Sequence, residues 1–117
     1  ALLLIDPSYE LAEEPELVLD AVRKAHARFA TGVIAIWYPV LERRGVERFE
    51  RALRAARLPA LSVYELCVTR PARGRGLAGS AMFVANPPWR LDEEMAAALP
   101  WLAERLAVDS GASFRTA

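Results

Sequence analysis

Apolar runs alternate with segments of helical periodicity along the whole chain. Four apolar runs predict strands, and three of them are nearly continuous, as in strands covered on both faces. The strands are Ala1–Ile5, Val33–Tyr38, Leu61–Thr69 and Ala81–Ala85. Apolar residues recur every three or four positions in the predicted helices Glu14–Phe29, Glu42–Arg57 and Asp92–Ala107, and Ala112–Thr116 is predicted as a short edge strand. This alternation is typical of an α/β domain.

The connections between the strands predict their directions. The first three strands are joined by two connections that exceed a dozen residues and contain a helix, which predicts parallel βαβ units with right-handed crossovers. Arg70–Ser80 has one proline, three glycines and no helical stripe. This segment predicts a hairpin-type loop and an antiparallel fourth strand. The predicted fold is therefore α/β, with parallel βαβ units followed by an antiparallel hairpin and a final helix.

The composition limits the kind of protein and its partners. The 117 residues are 54% hydrophobic, and 15 basic side chains balance 15 acidic ones. Zero net charge argues against electrostatic binding of nucleic acid by the domain as a whole. A local basic patch is still compatible with this composition. We expect no membrane span, because no apolar run reaches 18 residues, and no secretory signal. A single cysteine fits a reducing cytoplasm, and no spacing of metal ligands occurs, so we expect no metal.

The tetrapeptide Asp6-Pro7-Ser8-Tyr9 follows the first predicted strand directly. Ligands of open α/β sheets bind at the carboxyl ends of parallel strands, where Asp6 is expected to lie. A D-P-P-Y tetrapeptide is the signature of methyltransferases that act on exocyclic amino groups of bases. Asp6 and the Pro7 carbonyl can accept the two N–H groups of such an amine, while Tyr9 stacks on a base taken out of its helix. The alternative is an ordinary Asp-Pro turn after a strand.

Asn86-Pro87-Pro88-Trp89, after the fourth strand, matches the general N/D-P-P-Y/F/W pattern better. An antiparallel strand, however, ends at the opposite edge of the sheet from Asp6, about 17–20 Å away for a strand of ordinary length. We therefore expect this second tetrapeptide to form a rigid turn before the last helix. Trp89 is expected to cap the core there, and Asp92 is expected to be the N-cap of the helix.

Three further features lie near the expected site or in the long loop. The G-x-G-x-x-G string Gly74–Gly79 leads into a strand, whereas a cofactor loop must open a helix, so it is not interpreted as a cofactor loop. Arg73 and Arg75 in the same loop either contact phosphates or are simply solvated. Trp37 and Tyr38 end the second strand and either form the wall of a base pocket or close the core.

The order of these motifs resembles one known family. The matching segments are Leu4–Glu10, Arg28–Gly32, Ala35–Pro39, Glu65-Leu66, Gly79–Met82, Asn86–Trp89 and Leu99–Leu102. Together they resemble the bacterial large-subunit (23S) ribosomal RNA adenine-N6 methyltransferases, a family also associated with the use of external DNA as a nutrient. The resemblance covers nearly all 117 residues. Ser8 departs from the proline that is commoner at its position.

The resemblance implies an enzyme that uses S-adenosylmethionine on a Rossmann-like sheet and acts on ribosomal RNA in the cytoplasm. It implies that Asp6 is the catalytic acidic residue and lies close to the cofactor, with Pro7 and Tyr9 completing the target-base site. The predicted substrate contacts are Ser8, Trp37, Tyr38, Arg73 and Arg75. Because the cofactor-binding strands of the family precede the D-P-P-Y position, we expect residues 1–117 to be the C-terminal half of the catalytic domain, lacking its cofactor-binding half and inactive alone.

Other interpretations remain open at this stage. The strand Ala1–Ile5 is apolar on both faces, so its edge and one face lack partners. This pattern predicts upstream residues, self-association through the exposed first strand, or marginal stability. A non-enzymatic nucleic-acid-binding or DNA-utilisation protein, or a scaffold, is the alternative to an enzyme. A DNA adenine methyltransferase is the alternative within the enzyme class.

Overall fold

The computed structural model of the chain describes residues 1–9 and 14–117. The described residues form five strands and three helices, and each predicted element is present with its ends shifted by a few residues. The elements, in chain order, are β1 (Leu2–Ile5), α1 (Glu14–Arg28), β2 (Val33–Val40), α2 (Arg43–Ala55), β3 (Ser62–Cys67), β4 (Gly79–Ala85), α3 (Leu91–Leu106) and β5 (Ser113–Thr116).

The strands form one mixed sheet in the order β1-β2-β4-β3-β5. β1 pairs with β2 in parallel, and β4 runs antiparallel to both of its neighbours, β2 and β3. β3 therefore has the direction of β1 and β2, as predicted, but β4 separates it from β2. The carboxyl ends of β1, β2 and β3 consequently share one edge of the sheet, called here the carboxyl edge.

Two apolar layers hold the helices on the sheet. α1 and α2 cover one face through Val22, Phe49 and Leu53, which pack with Ile36 and Phe83 of the sheet. α3 covers the other face through a smaller cluster, consisting of Ala35, Tyr64, Val84 and Leu99. Burial of one large apolar side chain contributes about 1.5–3 kcal/mol of transfer free energy. The layer beneath α1 and α2 is therefore the main source of stability, and these helices begin at the carboxyl edge.

β1 is a sparsely covered edge strand of the sheet. Among the described residues it pairs with β2 alone, and Leu2 and Leu4 are 70% and 59% exposed. The sequence pattern predicted this uncovered apolar strand. No helix within the described residues is long and apolar enough to cross a membrane.

Two details next to α3 differ from the sequence-based prediction. The N-cap is Arg90 rather than Asp92, because the turn at Pro88 closes on the Leu91 N–H and starts the helix early. Asp92 lies in the first turn and accepts a hydrogen bond from the Tyr64 hydroxyl. Trp89 does not cap the core: it is 89% exposed, with the Arg90 guanidinium 5.6 Å from its ring centre.

Candidate functional site

Asp6 lies at the carboxyl edge, at the end of β1. The parallel register pairs Ile5 with Ile36, so Asp6 and Trp37 leave two neighbouring strands at the same level. The Asp6 side chain is exposed, and no hydrogen bond or ion pair joins it to another residue within the described ranges. Asp6 thus presents a carboxylate without a partner among the described residues, at the point where α/β sheets bind ligands.

Tyr9 is fixed beside this carboxylate in an unusual backbone conformation. Its φ of 56° lies in the left-handed region, which costs a bulky residue free energy on the order of 1–3 kcal/mol. Two contacts hold it there. Its hydroxyl donates a hydrogen bond of 2.7 Å to the Trp37 carbonyl, and its ring packs edge-on against Tyr38 at a centroid distance of 5.0 Å. The ring therefore has one defined position next to Asp6.

The Tyr9 phenol remains protonated near neutral pH. Burial raises its pKa well above the ordinary value of 10.0, and the nearby groups of Tyr38 and Asp6 raise it further. A protonated hydroxyl donates to Trp37 and carries no negative charge toward Asp6. Tyr9 is accordingly suited to positioning and stacking and is unsuited to acting as a base.

The other aromatic residues at this edge divide between the core and its boundary. Tyr38 stacks on Phe49 of α2 with centroids 4.4 Å apart, which closes the core beneath α1 and α2. Trp37 is half-buried and lies 6.2 Å from the Tyr9 ring. Ser8 is exposed and donates hydrogen bonds to the Glu14 carboxylate at the start of α1. The structure thus brings Ser8, Trp37 and Tyr38 around Asp6 and Tyr9.

The second tetrapeptide lies at the opposite edge of the sheet, as predicted. The register pairs Ala85 with Ile34 near the start of β2. The Asn86 amide donates hydrogen bonds to the carbonyl groups of Ala30 and Gly32, at 3.0 and 3.1 Å. Its side chain is therefore occupied in fastening the turn before β2 to the end of β4.

The glycine-rich string is a connection between strands. Gly79 begins β4, and a Cβ at this position would overlap the Leu66 carbonyl oxygen of the neighbouring strand. Gly74 and Gly76 have φ values of 79° and 81°, the conformation that favours glycine in tight turns. The requirement for these glycines is conformational.

Arg73 and Arg75, the two predicted substrate contacts in the loop between β3 and β4, have different surroundings in the structure. Arg73 faces the start of α2 and lines an open pocket with Glu42 and Arg48. Arg75 lies close enough to Asp109 for its charge to act on that carboxylate. Hydrogen bonds from Thr69 and the Gly111 N–H, together with the Arg75 charge, lower the pKa of Asp109.

A buried ion pair that was not predicted from the sequence lies below the carboxyl edge. Glu65, in the middle of β3, is 2% exposed and accepts two hydrogen bonds from the Arg43 guanidinium, at 2.7 and 2.8 Å. Arg115 of β5 lies 3.5 Å from the same carboxylate and 2.7 Å from Glu50. The pair ties the first turn of α2 to β3. Its sequence signal was an acidic residue inside an otherwise apolar strand.

No group of three or more His, Cys, Asp or Glu side chains within the described ranges is arranged to hold a metal ion.

Comparisons with known proteins point to one family of methyltransferases. Residues 1–116 match the family model described as "Ribosomal RNA large subunit methyltransferase D, RlmJ". Over 105 residues the chain is 39% identical to Ribosomal RNA large subunit methyltransferase J of Escherichia coli (strain K12), an alignment that covers 90% of this chain and 38% of that protein. Over 113 residues it is 40% identical to the protein of the same name from Haemophilus influenzae, covering 97% and 40% of the two chains.

A solved structure extends the comparison to the fold. A crystal structure of a Legionella pneumophila protein, assigned to the domain family DUF519, matches with a TM-score of 0.87 at 29% identity. The match covers 99% of this chain and 42% of that one. The chain thus spans about two fifths of the length of each of these relatives.

Proposed function

Because the chain belongs to the RlmJ family of ribosomal RNA large subunit methyltransferases, we propose that it carries the target-base side of an active site that methylates N6 of an adenine in ribosomal RNA. The observation that carries this proposal is the unpaired Asp6 carboxylate next to the fixed Tyr9 ring at the carboxyl edge. An acceptor and an aromatic face are the two groups that recognition of an exocyclic amine on a flipped base requires.

The roles of these residues follow from the chemistry of the amine. Its lone pair is delocalised into the ring, so the nitrogen is a weak nucleophile. In the proposed site, Asp6 accepts one N–H and the Pro7 carbonyl accepts the other, which turns the nitrogen toward tetrahedral geometry and frees the lone pair. The Tyr9 ring stacks on the base. The nitrogen would then attack the methyl carbon that S-adenosylmethionine supplies, and the carbon–sulfur bond of that sulfonium would break with its electron pair staying on sulfur. The nitrogen would release one proton to solvent, which has access to the exposed Asp6.

Five further residues stay predicted substrate contacts. Ser8, Trp37 and Tyr38 lie around this centre, whereas Arg73 and Arg75 belong to the loop between β3 and β4. The half-buried Trp37 beside Tyr9 supports a role as a pocket wall. The packing of Tyr38 against Phe49 supports an indirect role, in which Tyr38 positions Tyr9 from below.

We assign S-adenosylmethionine as the cofactor, and when bound it supplies the electrophilic methyl group. Asp6 fits a contact with it, because this carboxylate lies at the end of a parallel strand whose far edge is open. The glycine-rich loop does not fit, because it joins two strands and opens no helix. Asp6 is therefore the contact that we assign to the described residues, and the remaining contacts are assigned to other parts of the complete polypeptide.

The same reasoning leads to a proposal for the domain. Residues 1–117 form the C-terminal part of a Rossmann-like catalytic domain and are inactive alone. Two observations support this proposal. The relatives are much longer than the chain, and β1 exposes an apolar face and pairs with β2 alone among the described residues. A strand of the complete polypeptide is the proposed neighbour of β1, and self-association is the alternative.

Sedimentation velocity separates these two occupants of the β1 edge. The proposal predicts that the complete polypeptide is a monomer at micromolar concentration. A dimer that the Leu4→Glu substitution dissociates would instead establish self-association through β1.

The function itself is tested by product analysis. The complete polypeptide is incubated with S-adenosylmethionine and protein-free 23S ribosomal RNA, and the digested RNA is examined for methylated nucleosides. We expect N6-methyladenosine in the RNA and no methylation of a DNA duplex. Methylated DNA with unmodified RNA would support the DNA methyltransferase alternative, and no methylation of either would contradict the proposal.

A further inference from the structure

A second candidate site lies at the carboxyl edge, beside the first turn of α2. An open pocket there is formed by the start of the helix and by the loop that connects β3 to β4. Four arginines and one glutamate supply its charge, namely Arg43, Arg44, Arg48, Arg73 and Glu42. Arg43 is committed to the buried Glu65, so Arg44, Arg48 and Arg73 remain to face a ligand. We call these three side chains the arginine pocket.

The charges of this pocket are unfavourable for the helix itself. The first turn of a helix favours acidic residues because its free N–H groups carry partial positive charge. α2 has no acidic residue in its first turn and places Arg44 there instead. Arg48 follows at a spacing of four residues, where like charges repel. No ion pair engages either side chain, or Arg73, within residues 1–9 and 14–117.

Such an arrangement is stabilised when an anion binds. The nearest carboxylate that lines the pocket is Glu42, which makes no side-chain capping hydrogen bond to the helix. The positive charge of the pocket therefore exceeds its negative charge even with Glu42 ionised. An anion held there would contact arginines and free N–H groups of the helix at the same time, the combination that binds phosphate groups.

The loop wall of the pocket is held in place by backbone contacts. The Ala78 N–H donates to the Val40 carbonyl at 2.8 Å, just before α2, and the Val68 N–H donates to the Ala78 carbonyl at 2.8 Å. Left-handed Gly74 and Gly76 turn the chain between these anchors. Arg73 is thus carried on a loop whose base is fastened to the end of β2.

The pocket connects directly to the aromatic residues of the candidate active site. Arg48 also lines the depression around Tyr38 and Phe49. A Cβ added to Gly45, in the first turn of α2, would lie 3.6 Å from the Tyr38 hydroxyl. Burial raises the pKa of that hydroxyl, and the Arg48 charge acts in the opposite direction. Tyr38 in turn contacts Tyr9, so one row of side chains leads from Asp6 to the arginine pocket.

We propose that Arg44, Arg48 and Arg73 bind a backbone phosphate of the RNA strand whose base enters the site at Asp6. This inference rests on the proposed function for the identity of the strand. A phosphate contact positions the backbone and carries no sequence information, so the pocket supplies affinity and orientation while the Asp6 site acts on the base.

The test measures RNA binding and methyl transfer separately on the complete polypeptide. Arg44→Gln, Arg48→Gln, Arg73→Gln and the triple variant are compared with Arg28→Gln. This control removes the same charge from the end of α1, at the opposite edge of the sheet. Binding of a single-stranded RNA oligonucleotide is followed by fluorescence anisotropy at several salt concentrations, and methyl transfer to protein-free 23S ribosomal RNA gives kcat and KM.

We expect each single variant to weaken RNA binding about 3–10-fold and the triple variant about 30-fold or more, because charge-assisted contacts to phosphate are lost. The slope of log K against log salt should fall by about 0.7 in the triple variant if one phosphate is lost from a single strand. KM should rise with kcat little changed, and Arg28→Gln should stay within about twofold of the parent protein. A triple variant with the affinity and salt slope of Arg28→Gln would overturn the proposal.

Arg44→Glu separates a binding role from a structural one. A carboxylate in the first turn of α2 satisfies the helix dipole and relieves the repulsion from Arg48, so we expect the thermal unfolding midpoint to rise while RNA binding weakens further than in Arg44→Gln. Parallel loss of stability and binding would indicate a structural role and contradict the proposal. Loss of RNA binding in a protein without methyl transfer would support the arginine pocket while contradicting the proposed function.

Discussion

Two proline-containing tetrapeptides follow two strands of the same sheet, and the one that matches the motif less closely lies at the edge where α/β sheets bind ligands. Asn86-Pro87-Pro88-Trp89 fits the amino-methyltransferase pattern more closely than Asp6-Pro7-Ser8-Tyr9. The Asn86 amide is nevertheless occupied by two backbone carbonyls, whereas the Asp6 carboxylate has no described partner. Strand direction therefore decides which of the two tetrapeptides lies at the carboxyl edge, and the quality of the motif match does not.

The backbone conformations of the two tetrapeptides also differ in how unusual they are for the residue concerned. Both segments contain a non-glycine residue in the left-handed region, Asn86 with φ 53° and Tyr9 with φ 56°. Asparagine tolerates this conformation, so its use in a turn is ordinary. Tyrosine tolerates it poorly, and here a hydrogen bond and a ring contact hold it in place. Unfavourable backbone conformations of this kind are concentrated at functional sites.

The largest expected effect comes from removing the Asp6 carboxylate. Asp6→Ala removes the acceptor of the target amine, and we expect kcat to fall by about 10²–10⁴-fold, with little change in stability because the side chain is exposed. Asp6→Asn keeps an amide oxygen as acceptor and should retain activity well above Asp6→Ala. Radiolabelled methyl transfer to ribosomal RNA gives both values. Equal activity of the two variants would contradict the role of Asp6 as a hydrogen-bond acceptor.

Asn86→Asp improves the motif by sequence and should damage the protein. The substitution replaces a donor with a carboxylate that faces the carbonyl oxygens of Ala30 and Gly32, so we expect a loss of about 2–3 kcal/mol in stability. Urea-induced unfolding of the complete polypeptide gives the change. The same substitution should not restore methyl transfer to Asp6→Ala, and any restoration would show that both tetrapeptides reach one site.

Tyr9→Phe removes a hydroxyl and keeps the ring. Loss of the hydrogen bond to the Trp37 carbonyl should reduce stability by about 1 kcal/mol. The ring still packs against Tyr38, so kcat should fall less than in Tyr9→Ala, which also loses the stacking surface. The ratio of the two kcat values measures the contribution of the ring, and a ratio of one would argue against stacking on the base.

Trp89→Ala is the smallest change and completes the comparison. The ring is 89% exposed, so stability should change by less than about 0.5 kcal/mol, and methyl transfer should stay close to the parent value. Thermal unfolding and the methyl-transfer assay check both expectations. A marked loss of methyl transfer in this variant would indicate that the second tetrapeptide has a functional role.

Local sequence patterns predicted the strands, the helices and the strand directions. They did not predict that β4 lies between β2 and β3. Helix-containing crossovers force β1, β2 and β3 to run in parallel, and a long loop without a helix allows β4 to turn back. The lengths of the connecting segments do not indicate on which side of β3 the strand β4 pairs. The structure inserts β4 between β2 and β3, where Phe83 pairs with Ile36 on one side and with Val63 on the other.

The same limit applies to the candidate site. Asp6 was predictable because its position depends on one strand end. The pair Arg43 and Glu65 joins residues 22 positions apart through the packing of α2 on β3, which no local pattern encodes. The arginine pocket was not predicted either. Arg44 at the start of α2 is a local sequence signal, whereas its approach to Arg73 depends on the path of the loop between β3 and β4.

One experiment tests most directly that Asp6-Pro7-Ser8-Tyr9 is the catalytic segment and Asn86-Pro87-Pro88-Trp89 a structural turn. Single-turnover methyl transfer is measured with saturating ribosomal RNA for Asp6→Ala and Asn86→Ala, each at the same concentration of folded protein. The account predicts a fall of about 10²-fold or more for Asp6→Ala and a rate within about threefold of the parent for Asn86→Ala. An undiminished rate for Asp6→Ala, or an equal loss in the two variants, would contradict it.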